Sequence, residues 1–249
     1  MTQENTTAPT GSAPATVTVI EHEADVGLGF FAGWLADAGL RCEVHRPYRG
    51  DRIPERARDG LLVLGGSAAA WEDGKCGWLP ATRALLARSV AEGVPTLGIC
   101  LGAQLMTLAC GGRVERGAAG PEIGLKEIDV LGEAAGDPLF SALAGRRVCA
   151  VQYHYDAMTE LPQGAVRLAT GTSYPNQAYR LGERAWAVQF HPEVTPGGFT
   201  RWMDDSPYGP GEREKLIAQV TEAEAELQAV WRPFAESFAA VVAGHRTGA

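Results

Sequence analysis

The sequence predicts one α/β domain with a central, mostly parallel sheet, antiparallel strands at one edge and helices on both faces. Three observations carry that expectation. Apolar stretches of strand length alternate with helical patterns from Val17 onward, the order that builds a parallel sheet through right-handed crossovers. Leu61-Leu62-Val63-Leu64 is apolar without interruption, as in a strand covered on both faces. Further on, Val166–Thr170 and Asn176–Tyr179 lead as strands into Ala185–Phe190, which adds antiparallel members at the edge. A chain of 249 residues, 45% hydrophobic and 21% charged, favours one large domain over two small ones.

In chain order, residues 1–15 are rich in Thr, Ala, Pro and Gly, cannot bury enough surface to order themselves, and are expected to form a disordered tail. The domain is expected over 16–205. Val17–Ile20 is a strand, Glu21–Gly27 a loop, and Leu28–Ala38 a helix that buries Phe30, Phe31, Trp34 and Leu35 and stops at Gly39. Leu40–His45 is a second strand, and Arg46–Asp59, punctuated by Pro47, Gly50 and Pro54, crosses the surface. After Leu61–Leu64 come Gly65-Gly66-Ser67, a loop over Ala68–Pro80 and an amphipathic helix, Ala81–Glu92. Val94–Ile99 is a buried strand and Leu101–Ala109 a helix closed by Gly111-Gly112. Val114–Arg116 and Ile123–Leu131 are strands joined through Gly120-Pro121, and Asp137–Phe140 opens a turn. Residues 206–249 form a C-terminal helical extension. Its stripe of Leu216, Val220, Ala223, Leu227, Val230, Trp231, Phe234, Phe238 and Val241 is interrupted or kinked by Pro233. That stripe is either a packed terminal helix or a surface for a homodimer or another partner.

Composition narrows the function classes. A net charge of −8 with no basic cluster argues against nucleic acid or an anionic membrane as partner. The five cysteines are scattered, with no CxxC or zinc-finger spacing, so reduced thiols and no metal are expected. Neither a secretory signal nor an apolar stretch of membrane-spanning length is seen, and the expected location is cytoplasmic.

Chemistry concentrates at Gly98-Ile99-Cys100-Leu101-Gly102. A strand passes through a cysteine framed by glycines straight into a helix, the thiol form of a nucleophile elbow. Small flanking residues let strand and helix approach, and a helix N-terminus favours a thiolate. A buried structural cysteine is the plain alternative. His191-Pro192-Glu193, delivered at the end of Ala185–Phe190, decides between them, because a cysteine nucleophile needs a base and the base an orienting acid. In an extended segment His191 and Glu193 project to the same side.

With these residues the sequence resembles the class I glutamine amidotransferase family, whose signature is a Gly-x-Cys-x-Gly elbow followed much later by His-Pro-Glu. The resemblance covers about Val17 to Thr195 and implies a flavodoxin-like α/β architecture with Cys100, His191 and Glu193 as catalytic triad. It implies an oxyanion hole from the amides of Gly66 and Leu101, with Gly65 the substitute, and Gln104 as a group orienting the substrate. In Val151-Gln152-Tyr153-His154-Tyr155-Asp156 it matches the stretch holding the α-amino and carboxylate ends of glutamine, so Tyr153, His154 and Tyr155 are expected at the substrate. Tyr155 stands where many members have glycine, which alters the pocket floor. The pattern looks more like the stand-alone branch and the plant γ-glutamyl peptidases than like GMP synthetase.

The implied reaction is attack of Cys100 on a γ-glutamyl amide, release of ammonia or an amine with help from His191, and hydrolysis of the thioester to glutamate, without a cofactor. No glycine-rich phosphate loop is visible, so an ammonia-consuming synthetase is expected on a separate subunit. The alternatives are a γ-glutamyl peptide or amine hydrolase working alone and, from another class, a catalytically silent binding module, which an intact set of three residues disfavours.

Overall fold

The computed structural model describes residues 13–246. The elements are β1 (Thr16–Ile20), α1 (Phe31–Asp37), β2 (Arg41–His45), β3 (Gly60–Val63), α2 (Leu79–Ala91), β4 (Thr96–Ile99), α3 (Leu101–Ala109), β5 (Arg113–Arg116) and β6 (Glu122–Val130). They continue with β7 (Arg147–His154), β8 (Asp156–Glu160), β9 (Val166–Gly171), β10 (Ala178–Leu181), β11 (Ala185–Val188), α4 (Pro196–Trp202), α5 (Pro210–Glu222) and α6 (Glu224–Arg246). A nine-stranded sheet has the order β2-β1-β3-β4-β11-β10-β9-β6-β7. Strands β2, β1, β3, β4 and β11 are mutually parallel, and β10, β9, β6 and β7 extend that edge antiparallel. The α/β architecture expected from the alternating patterns is therefore present, with its antiparallel members on one side.

Alternation along the strands divides the core in two. Val17, Val19, Leu62, Leu64, Leu97 and Ile99 face one side, where they meet Phe31, Trp34 and Leu35 of α1 and Trp231, Phe234, Phe238 and Val242 of α6. Leu61 and Val63 face the other side and meet Leu85 and Leu86 of α2 and Leu101, Leu105 and Met106 of α3. The C-terminal helices thus complete one layer over the sheet. Phe234 anchors them, edge-on to Phe140 at 5.1 Å and tilted against Phe31 at 6.5 Å.

Several boundaries differ from the sequence expectation, each for a local reason. Of the expected tail, residues 1–12 lie outside the described residues, while Ala15 is buried and its carbonyl accepts from Arg41 N at 2.8 Å. Helix α1 begins at Phe31, because the Phe30 amide is drawn to the Glu193 carbonyl at 2.7 Å. Helix α2 begins at Leu79, two residues early, with Pro80 in the first turn where its missing N–H has no cost. Pro233 lies inside α6, and the stripe breaks instead at Ala223, between α5 and α6. The apolar face formed by Trp231, Phe234 and Phe238 outweighs the lost i→i−4 bond. Strand β5 pairs with β8 in a separate two-stranded sheet. No helix among the described residues is long and apolar enough to cross a membrane.

Candidate active site

The C-terminal ends of β3, β4 and β11 converge beside the floor formed by β7 and β8. Cys100 sits between β4 and α3 at φ 49°, and it is the non-glycine residue with positive φ among those described. Such a conformation costs about 1–3 kcal/mol and persists because the surroundings impose it. A Cβ on Gly102 would lie 2.0 Å from the Val63 carbonyl oxygen, and one on Gly98 would lie 2.7 Å from the Gly102 carbonyl carbon. Both glycines are therefore required for strand and helix to meet this closely. The Cys100 amide donates to Val188 O at 2.8 Å, which ties the elbow to β11.

From β11 the chain continues to His191, whose amide donates to Val151 O at 2.8 Å. His191 Nδ1 lies 2.8 Å from Glu193 Oε1, and both side chains are buried. The Glu193 carboxylate accepts, so Nδ1 carries a proton and Nε2 is the nitrogen left over. The ring packs on the same side of Gly65 as the Cys100 side chain. Burial alone would keep this imidazole neutral, but the charges of Glu193 and Cys100 outweigh it and push its pKa up to about 10. Gly65 makes room for the encounter, since a Cβ there would lie 2.8 Å from His191 Cε1 and 3.5 Å from Cys100 Cβ. Behind Glu193, Gly29 at φ 49° lets the loop before α1 close in, and a Cβ there would lie 2.0 Å from the Glu193 carbonyl oxygen.

The remaining sequence-derived residues separate into those the fold brings to the thiol and those it commits elsewhere. Gly66 packs against Leu101, whose Cδ2 would lie 2.9 Å from an added Cβ, so the two expected amide donors belong to touching residues. The Leu101 amide opens α3 and has no i−4 carbonyl within the helix. Gln104 is buried, and its Nε2 donates to Asp156 O at 3.0 Å and to Gln189 Oε1 at 3.2 Å. Its amide is thereby oriented, with Oε1 as the end left for a ligand. Tyr153 offers its carbonyl to the Cys100 thiol at 3.8 Å, while its hydroxyl donates to Trp202 O at 3.0 Å. Tyr155 occupies the break between β7 and β8 and lines the cavity.

The His154 side chain is committed within the protein. Its Nδ1 faces Asp156 O at 2.9 Å, and its Nε2 faces Glu122 Oε2 at 3.0 Å. A carbonyl only accepts, so Nδ1 is a donor. Burial would raise the Glu122 carboxyl, but the hydrogen bond and charge of His154 and the hydrogen bond from Gln177 hold it below its usual range. Both ring nitrogens are therefore spent inside the protein. What His154 can offer a ligand is its backbone.

Trp202 was not legible as a site residue. Its ring lies edge-on to His191 at 4.6 Å, and its Nε1 donates to Asp25 O at 2.8 Å. An indole on the first helix after His191-Pro192-Glu193 was the only available signal. Together Val26, Gly66, Cys100, Tyr155, His191 and Trp202 help line a cavity of about 580 Å³.

Comparison with known proteins fits this geometry. Residues 33–206 match the family described as glutamine amidotransferase class-I. The chain belongs to that family. Membership makes it an enzyme of the glutamine amidotransferase type. It is 36% identical over 166 residues to a GMP synthase (glutamine-hydrolyzing) from Wolinella succinogenes, covering 64% of this chain and 30% of that protein. It is 28% identical over 167 residues to gamma-glutamyl peptidase 4 from Arabidopsis thaliana, covering 66% of each. The chain thus spans less than a third of the GMP synthase. A crystal structure of a glutamine amido transferase from Methylobacillus flagellatus superposes with a TM-score of 0.78 at 25% identity, over 94% of this amidotransferase and 96% of that chain.

Proposed function

We propose that this amidotransferase hydrolyses the γ-amide of glutamine through a Cys100–His191–Glu193 triad. The observation that carries the reading is the geometry: Cys100 stands at the strained turn between β4 and α3, and His191, fixed by Glu193 at 2.8 Å, packs beside it across Gly65, as a nucleophile and its base require. Cys100 Sγ forms a bond to the amide carbon, and the carbonyl becomes an oxyanion that the amides of Gly66 and Leu101 receive. His191 then gives its proton to the leaving nitrogen, and ammonia departs as the tetrahedral adduct collapses to a γ-glutamyl thioester. Water, deprotonated by the same imidazole, cleaves the thioester to glutamate and restores the thiol. Glu193 holds the ring with Nε2 toward the sulfur throughout. The fixed Oε1 of Gln104 accepts from the substrate.

The likeness to GMP synthase supports an ammonia acceptor on a separate synthetase subunit. A second reading, hydrolysis of γ-glutamyl peptides or amines, is supported by the likeness to the Arabidopsis peptidase. We place the protein in the cytoplasm, in keeping with its unpaired cysteines. Glutamate and ammonia release from glutamine by the purified chain, measured against a γ-glutamyl dipeptide, tests both readings. Turnover of glutamine that vanishes in Cys100→Ala supports the first. A strong preference for the dipeptide replaces it by the second, and hydrolysis that survives Cys100→Ala removes both.

A further inference from the structure

Gly66, Ser67 and Ala68 line two cavities at once, that of Cys100 and a second of about 230 Å³ bounded also by His22, Tyr48, Trp78 and Leu101. The loop after β3 therefore has open space on a second side. An amide that is to receive a developing oxyanion has to be in place before the charge appears, so something must keep this loop from receding. His22, in the loop after β1, stands where that support is needed. A Cβ on Gly66 would lie 3.0 Å from His22 Cβ and 2.9 Å from Leu101 Cδ2, so the glycine is held between these two side chains. The next residue of each loop repeats the tie, because Ser67 Oγ donates to Glu23 Oε2 at 2.7 Å.

The imidazole is itself fixed, since Trp78 Nε1 donates to His22 Nδ1 at 3.0 Å. With Nδ1 accepting, the neutral ring carries its hydrogen on Nε2, and that buried atom has no hydrogen-bond partner among the described residues. A buried donor left unpaired works against stability, so packing alone does not account for a histidine at this position. We infer that His22, oriented by Trp78, is a positioning residue for the oxyanion hole and holds the Gly66 amide toward the reacting carbonyl. This rests on the reading of Cys100 as nucleophile and Gly66 as donor, and adds what keeps that donor in place. The oxyanion exists only once the sulfur has attacked, so a displaced Gly66 weakens the transition state more than the bound substrate. Alkylation of Cys100 at a saturated carbon forms no oxyanion. It is indifferent to where Gly66 stands.

That difference supplies the test. His22→Ala and Trp78→Phe are compared with the wild type in two reactions: hydrolysis of glutamine or a γ-glutamyl dipeptide, whichever the wild type turns over, and alkylation of Cys100 by iodoacetamide, followed by mass spectrometry. His22→Ala is expected to lower kcat about ten- to a hundredfold with KM nearly unchanged and Cys100 alkylated at the wild-type rate. Trp78→Phe keeps the ring at 22 and removes the donor that orients it, so kcat should fall by a smaller factor with the same unchanged alkylation. If His22→Ala does not fold, Trp78→Phe decides by the same split. Undiminished kcat in either variant, a loss confined to KM, or equal falls in hydrolysis and alkylation overturn the inference. A wild-type chain that releases no glutamate and alkylates like an ordinary thiol contradicts the underlying reading instead, so the two failures are distinguishable.

Discussion

Two buried histidines, each paired with a glutamate, lie within the same site and differ in what the second ring nitrogen does. His191 gives Nδ1 to Glu193 at 2.8 Å, and Nε2 is the nitrogen left over. His154 gives Nε2 to Glu122 at 3.0 Å and spends Nδ1 on the Asp156 carbonyl at 2.9 Å. A carboxylate partner alone therefore does not make a base. The difference lies in the strands that carry them. His191 follows the last parallel strand, at the carboxyl edge where α/β folds open their clefts. His154 ends an antiparallel strand whose neighbour, β6, places Glu122 opposite it in register. Around it Gln177 Nε2 donates to the same Glu122 oxygen at 2.9 Å, and Gln152 Nε2 to Gln177 Oε1 at 2.7 Å. The first pair has the arrangement that the proposed proton transfer requires, whereas both ring nitrogens of the second are held by the floor.

The largest effects are expected at Cys100 and Glu193. Cys100→Ala should reduce amide hydrolysis by three orders of magnitude or more, about the scale seen when a hydrolase nucleophile is removed. Glu193→Gln should lower kcat by about 10²–10⁴-fold with a much smaller change in KM, because its part is to orient a ring and not to hold substrate. A loss confined to KM would contradict that part. At the other pair the effect should move from rate to stability: Glu122→Ala leaves a buried imidazole without its carboxylate partner and should cost about 3–5 kcal/mol in denaturant unfolding. Unchanged stability would show that the pair does not stabilise the floor.

The smallest effect belongs to a third buried histidine. Trp78 Nε1 donates to His22 Nδ1 at 3.0 Å, and burial lowers the His22 pKa from 6.5 to about 4. The folded value lies below the unfolded one, so the unfolded chain binds the proton first, and stability falls as the pH drops from 6.5 through about 4. The full effect is about 3 kcal/mol. Acid unfolding of His22→Gln, compared with the wild type, should be flatter across that window by this amount, and parallel curves would contradict the assignment.

The legible parts of the site are those whose chemistry is local in the chain. Gly98, Cys100 and Gly102 announce the elbow because close backbone approach admits little else, and His191-Pro192-Glu193 sets base and acid on one side of a single extended segment. The distinction between His191 and His154 is not local: it depends on Glu122, brought opposite His154 by the register of β6 and β7. Trp202 owes its position to a contact with Asp25, far away in sequence. The same limit applies to the fold. Alternation revealed the parallel half of the sheet, whereas the pairing of β5 with β8 and the continuity of α6 through Pro233 depend on tertiary contacts that outweigh local preference.

The proposed reaction depends on proton exchange between the thiol at 100 and the imidazole at 191. Its direct test is the rate of Cys100 alkylation by iodoacetamide between pH 5 and 9, followed by mass spectrometry in the wild type and in His191→Ala. With His191 holding its proton up to about pH 10, the wild-type rate should stay high across neutral pH and the variant should fall to the rising curve of an ordinary thiol. Superimposable curves would contradict the account.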